Sequence, residues 1–273
     1  MHCLKTFEEQ KLRTQRMNLI DDPFFQKIAE NTEACEELLR VLLDKPGLTI
    51  VENQTQRHLR NLHARSVILD VLCKDADGSL YNIEVQKDDK KNHTNMDKTY
   101  QKRVRFNLAN LDTVFAEKGI SFDQLPDIYS VFISELDPFQ KGHTTYHIHR
   151  AITETKDIVE NGLHEIYVNA AASDGSANAE LMQYFMNSNG YHPKFKEISK
   201  QVMYFKESHK GVSEMANVFD EYAEEKIMEK DKITITKLLK NGVSVELLAN
   251  SFTSLSKECI QELKDRLEME AVV

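Results

Sequence analysis

Cysteine is sparse. Cys3, Cys35, Cys73 and Cys259 are scattered, with no C-x-x-C pair. That excludes a zinc ribbon and a disulfide framework, and fits a protein of the reducing cytoplasm. Glycine and proline are also few, at 9 and 5. Low-complexity and disordered classes are thereby excluded, and with 41% hydrophobic residues the chain should be globular and helix-rich. No apolar run approaches the roughly 20 residues that a membrane-spanning helix needs. No leader peptide is recognisable, so neither a membrane location nor secretion is expected. Positive charge is in deficit, with a net charge of −9. A surface that attracts nucleic acid everywhere is therefore excluded, and any such function must rest on local charge.

The stretch that carries chemistry runs from Asp70 to Gln86. Residues 67–73 are apolar and rich in β-branched types apart from Asp70, and Asp75-Ala76-Asp77-Gly78-Ser79 is turn chemistry. From Leu80 to Gln86 the chain alternates, with Tyr81, Ile83 and Val85 on one face and Asn82, Glu84 and Gln86 on the other. A hairpin is predicted, with Asp70 near Glu84 and Gln86. A carboxylate among Ile68, Leu69, Val71 and Leu72 is costly unless it is compensated. A divalent cation held by Asp70 and Glu84 would compensate it, and hard oxygen ligands suit Mg2+ or Mn2+.

Basic residues flank this stretch. Residues 87–105 hold seven Lys and Arg against three Asp, and Arg57, Arg60 and Arg65 precede the Asp70 strand. The acidic excess lies elsewhere, notably over 214–229.

Asp22-Pro23 should open a helix running to about Asp44, with Ala34, Cys35, Leu38, Val41 and Leu42 as its apolar stripe. A strand is expected at 48–51, before the hairpin. A helix over 92–118 has Tyr100, Val104, Leu108, Leu111 and Phe115 on its apolar face. On it Arg103 is close to Tyr100 in phase, and Arg103 and Arg105 cannot both face inward. A buried strand follows at 128–134, giving the order α-β-β-β-α-β. Further strands are expected at 144–150 and 165–169. His143, His147 and His149 share one face there, a pattern that could hold Zn2+ but is more often merely exposed. Residues 211–268 should be helical. Within them 238–260 resembles a short helix-turn-helix capped by Ser244, with Ser254 where a turn glycine is usual.

An Asp, a hairpin and Glu-x-Lys form the signature of the PD-(D/E)XK nuclease superfamily. This chain resembles one branch of it, the Rpn-type recombination-promoting nucleases or PD-(D/E)XK nuclease-family transposases. The matching residues are Asp22-Pro23-Phe24-Phe25, residues 61–67, Asp77-Gly78, Tyr81 to Gln86, Lys102 to Phe106 and Ile133 to Phe139. The resemblance implies an α/β fold: a restriction-endonuclease-like αβββαβ core with a mixed sheet over residues 1–205, followed by a helical appendage over 206–273.

It also implies a Mg2+-dependent DNA endonuclease, with Mn2+ as a substitute and no small-molecule cofactor. Asp70 and Glu84 would hold the metal, joined by Glu37 or the Val85 carbonyl, and Gln86 would stand in the place of the superfamily lysine. Having no charge, Gln86 could only orient water or phosphate through hydrogen bonds. Arg103, Arg105, Lys102 and Arg65 would grip DNA phosphates, and a homodimer would let two sites cut two strands. No widely spaced DDE-type acids are present, so cleavage that provokes recombination fits better than strand transfer. The other reading is a degenerate member that binds DNA or protein without cutting, which Ile68 favours, since relatives often have Arg there. A third is a phosphohydrolase acting on small phosphoesters.

Overall fold

In a computed structural model, residues 6–59, 67–87, 96–116 and 121–270 are described. Three helices open the chain: α1 (Phe7–Gln15), α2 (Asp22–Ala29) and α3 (Thr32–Leu42). The single helix expected from Asp22 to Asp44 is therefore two. The break has a local cause. Asn31 is extended, and its side chain accepts from the Ala34 N–H at 2.8 Å, capping a new helix.

Strand β1 (Ile50–Leu59) is ten residues long, far beyond the four-residue strand read from the sequence. Its polar run Glu52 to His58 pairs antiparallel with β2 along the sheet edge. There one side of the strand needs no apolar residues. β2 (Val67–Asp75) and β3 (Leu80–Gln86) form the predicted hairpin. Asp75 builds its turn by accepting from the Asp77 and Ser79 amides and the Tyr81 hydroxyl, and Gly78 supplies a φ of +92°. Helix α4 (Met96–Phe115) then crosses to β4 (Ile128–Ser134), which lies parallel to β3.

β5 (Thr145–Ile148) and β6 (Leu163–Asn169) complete a six-stranded mixed sheet of order β1-β2-β3-β4-β6-β5. The αβββαβ order and the restriction-endonuclease-like class are as expected. One sheet face packs on α4, where Leu72, Leu80, Ile128, Phe132 and Tyr167 meet Val104, Leu108 and Leu111. The other carries Cys73 against Cys35 of α3, with α5 (Ala177–Met186) and α6 (Lys196–Glu207) packed on α3.

Helix α7 (His209–Lys240) follows, and the chain divides into two compact units at Met215/Ala216, inside it. The sequence boundary was set at 205/206. In the second unit Ile235 of α7 packs with Leu248 of α8 (Val245–Ser251), with Leu255 and with Ile260 of α9 (Lys257–Glu270). Ser244 caps α8 as expected, and Ser254 donates to Asp231 at 2.6 Å. Among the described residues no helix is long and apolar enough to cross a membrane.

Candidate active site

The β2–β3 ladder pairs Val71 with Ile83 and Leu72 with Asn82. Continued by one step, it sets Asp70 opposite Glu84, on the sheet face that α4 covers. Both carboxylates are buried, at 8% and 1% exposure. Asp70 Oδ2 accepts from the Val85 N–H at 3.2 Å. From α4, Arg103 reaches down to donate to Glu84 Oε2 at 2.5 Å and to Gln86 Oε1 at 3.0 Å. Asn107, one turn further along α4, donates to Glu84 Oε1 at 3.3 Å. The Gln86 amide donates to the Lys87 carbonyl at 2.8 Å, and the Lys87 ammonium pairs with Asp21 at 2.5 Å.

Charge in this site is out of balance. Burial lifts the Asp70 carboxyl well above the usual carboxylate range, and the nearby charges of Glu84 and Asp22 add to the lift. Arg103 and the Val85 N–H offset it only in part. Burial also raises Glu84, against the pull of Arg103. Arg103 is itself penalised by burial, but Glu84, Asp70 and Asp22 hold it protonated. One guanidinium thus faces two buried acids and a third nearby. The surplus of negative charge and the hard oxygen donors fit a divalent cation of the Mg2+ type. Among the described residues no three His, Cys, Asp or Glu side chains converge closely enough to hold a metal by themselves. Water or substrate oxygens would have to complete the shell.

The expected site residues separate into groups. Asp70, Glu84, Gln86 and Arg103 come together. Lys102 and Arg105 are exposed on α4, as the helical phase requires. Val85 enters through its amide. Glu37 instead accepts from the Ile198 N–H at 2.9 Å, in the first turn of α6. The helical acid whose charge reaches Asp70 is Asp22 of α2. Its signal was the Asp22-Pro23 pair at a helix start. Asn107 was legible only as the i+4 neighbour of Arg103 beside the apolar stripe. Arg65 lies outside the described residues. The histidine face does not assemble a metal site: the His143 ring stands edge-on to Tyr146 (centroids 5.7 Å apart), and no ligand group forms among the described residues.

A family model described as PD-(D/E)XK nuclease family transposase matches residues 24–238. The chain belongs to this family. The match covers the whole sheet, from α2 into α7, and begins two residues after Asp22. No curated protein and no solved structure matches the chain. Family membership makes phosphodiester chemistry the expected activity of the chain, and divalent metals are typical of such nucleases.

Proposed function

We propose that the protein is a Mg2+-dependent DNA endonuclease that hydrolyses phosphodiester bonds, and that such cleavage promotes recombination. The observation that carries this reading is the buried, facing pair Asp70 and Glu84, whose negative charge Arg103 balances only in part. Asp70 and Glu84 would hold Mg2+, with Asp22 at the rim. When bound, such an ion supplies a water of lowered pKa and neutralises charge on the scissile phosphate.

The remaining work falls to side chains of this chain. Gln86 orients the attacking water or a phosphate oxygen by hydrogen bonds, without titrating. Arg103 presents a planar fork suited to a phosphate, within reach of both Glu84 and Gln86. Lys102 and Arg105 contact the DNA backbone outside the reacting centre.

Plasmid nicking in Mg2+, Mn2+, Ca2+ or EDTA tests the reading. Cleavage should require Mg2+ or Mn2+ and vanish in Asp70→Ala and Glu84→Ala. Full activity in either variant would sink the assignment. A second reading has its own support, since Arg103 already gives Glu84 a counter-charge and could stand in for a metal in a protein that only binds DNA. DNA binding without cleavage, and with no stabilisation by Mg2+, would select it.

A further inference from the structure

Beneath Glu84 the sheet holds two polar side chains that the proposed chemistry does not use. Asn82 and Ser130 are 0% and 1% exposed. They are partners across the parallel β3–β4 ladder. Asn82 alternates with Glu84 along β3, so both side chains share the face under α4. Among the described residues neither polar atom of Asn82 nor Oγ of Ser130 has a hydrogen-bond partner. Much of their surroundings is apolar: Leu72 stands opposite Asn82, with Leu80, Ile128, Val104 and Leu108 in the same cluster. Buried polar groups are kept in a core only where something polar meets them. On this face the polar neighbours are Glu84, two residues on along β3, and Glu165 of β6, the ladder partner of Ser130, which accepts from the Tyr167 hydroxyl. The Asn82 amide is turned so as to favour the charged form of that carboxylate, short of a formed hydrogen bond.

We propose that Asn82 and Ser130 are positioning residues for Glu84, the Asn82 amide bearing on the carboxylate along β3 and Ser130 backing Asn82 across the β3–β4 ladder. Asn107 and Arg103 fix Glu84 from the α4 side, and the Asn82–Ser130 pair fixes it from below. Neighbours of this kind set the orientation of a metal-binding carboxylate and so govern affinity without touching metal or substrate. The proposal rests on the reading of Glu84 as a metal-holding carboxylate.

The test uses the full chain as wild type, Asn82→Leu, Ser130→Ala and Glu84→Gln. Thermal unfolding is followed in EDTA and across a Mg2+ titration, and nicking is followed with kcat and KM separated. Asn82→Leu replaces the orphaned amide with an apolar side chain of the same branching but larger volume, so its melting temperature in EDTA is read first, as the check that it folds. Its half-saturating Mg2+, read from the melting shift, should rise about 10–100-fold, with kcat reduced and KM for DNA unchanged. Ser130→Ala should move the same way by less, and it carries the test if Asn82→Leu does not fold.

Half-saturation and kcat within twofold of wild type in both variants, while Glu84→Gln loses its Mg2+ response, would overturn the positioning role alone. A Mg2+ response retained in Glu84→Gln would overturn the reading of Glu84 itself, and the proposal with it. A crystal structure should show the Asn82 amide directed at the Glu84 carboxylate, and an amide turned away from it would overturn the positioning role.

Discussion

Asp70 and Glu84 are each disfavoured as ions in the folded, metal-free protein. Between the ordinary carboxylate range near pH 4 and their raised native values, the native state binds more protons than the unfolded chain. Stability must therefore fall as pH rises through that window. In EDTA, urea unfolding should show the wild type gaining stability from pH 8 down towards pH 5. Asp70→Asn should be more stable than wild type at pH 7 in EDTA, because the amide has no charge to desolvate. It should also show a flatter pH dependence and no nicking. An Asp70→Asn protein less stable than wild type would show that the acid is compensated without a cation. Arg103 carries the opposite sign: Arg103→Leu strands Glu84, at a cost of about 2 kcal/mol for a hydrogen bond to a charged group. Asp70 could be singled out from sequence because one acid interrupted an apolar strand. Asn107 and Asp22 could not, because their significance depends on which helix face meets the sheet and where α2 begins.

At the level of elements, close approach and capping set the joints. Ser208 ends α6, accepts from the Gly211 N–H at 3.0 Å and so begins α7. A Cβ on Gly211 would stand 2.3 Å from the Tyr204 carbonyl oxygen and 2.8 Å from Phe205 Cα, both backbone atoms that cannot rotate away. Gly211→Ala should cost about 1–3 kcal/mol in urea unfolding, the range for overpacking. A neutral result would mean that α6 and α7 separate more freely than described.

Lys206 of α6 ties another joint. It is 3% exposed and donates to the Ser188 carbonyl at 2.7 Å, and burial lowers its pKa to about 8. Between about pH 8 and 10.5 the unfolded chain binds the extra proton, so Lys206 makes stability rise with pH in that interval. Lys206→Met should lose that rise, read as the difference between the two urea midpoints across the interval. The α2–α3 break and the length of β1 escaped the pattern reading for related reasons. A side-chain cap interrupts a continuous apolar stripe in one case. In the other, an edge strand accepts polar residues that alternate with nothing.

For the whole molecule, net charge and local charge oppose each other. A chain of −9 repels DNA at long range, so binding must rely on a few contacts. Among the described residues Lys87, Lys102 and Arg105 are exposed cations in or beside the motifs around the acid pair. The slope of log affinity against log salt should be shallow, on the order of −3. Lys102→Ala and Arg105→Ala should each reduce its magnitude by about one, uniformly across DNA sequences. A steep slope unaffected by either variant would move the DNA interface elsewhere.

The order of elements, the hairpin, its turn and the acid pair were legible in the chain itself. Alternation at Leu80 to Gln86 and an acid among aliphatics are local patterns, and local patterns follow from backbone geometry alone. The partners of those acids were settled only by tertiary structure. Arg103 and Asn107 meet Glu84 because α4 lies over one sheet face, Asp22 approaches because α2 begins there, and Glu37 turns to α6 because that helix offers it free amides. Which polar groups share a buried space depends on how whole elements pack. No spacing within one segment records that.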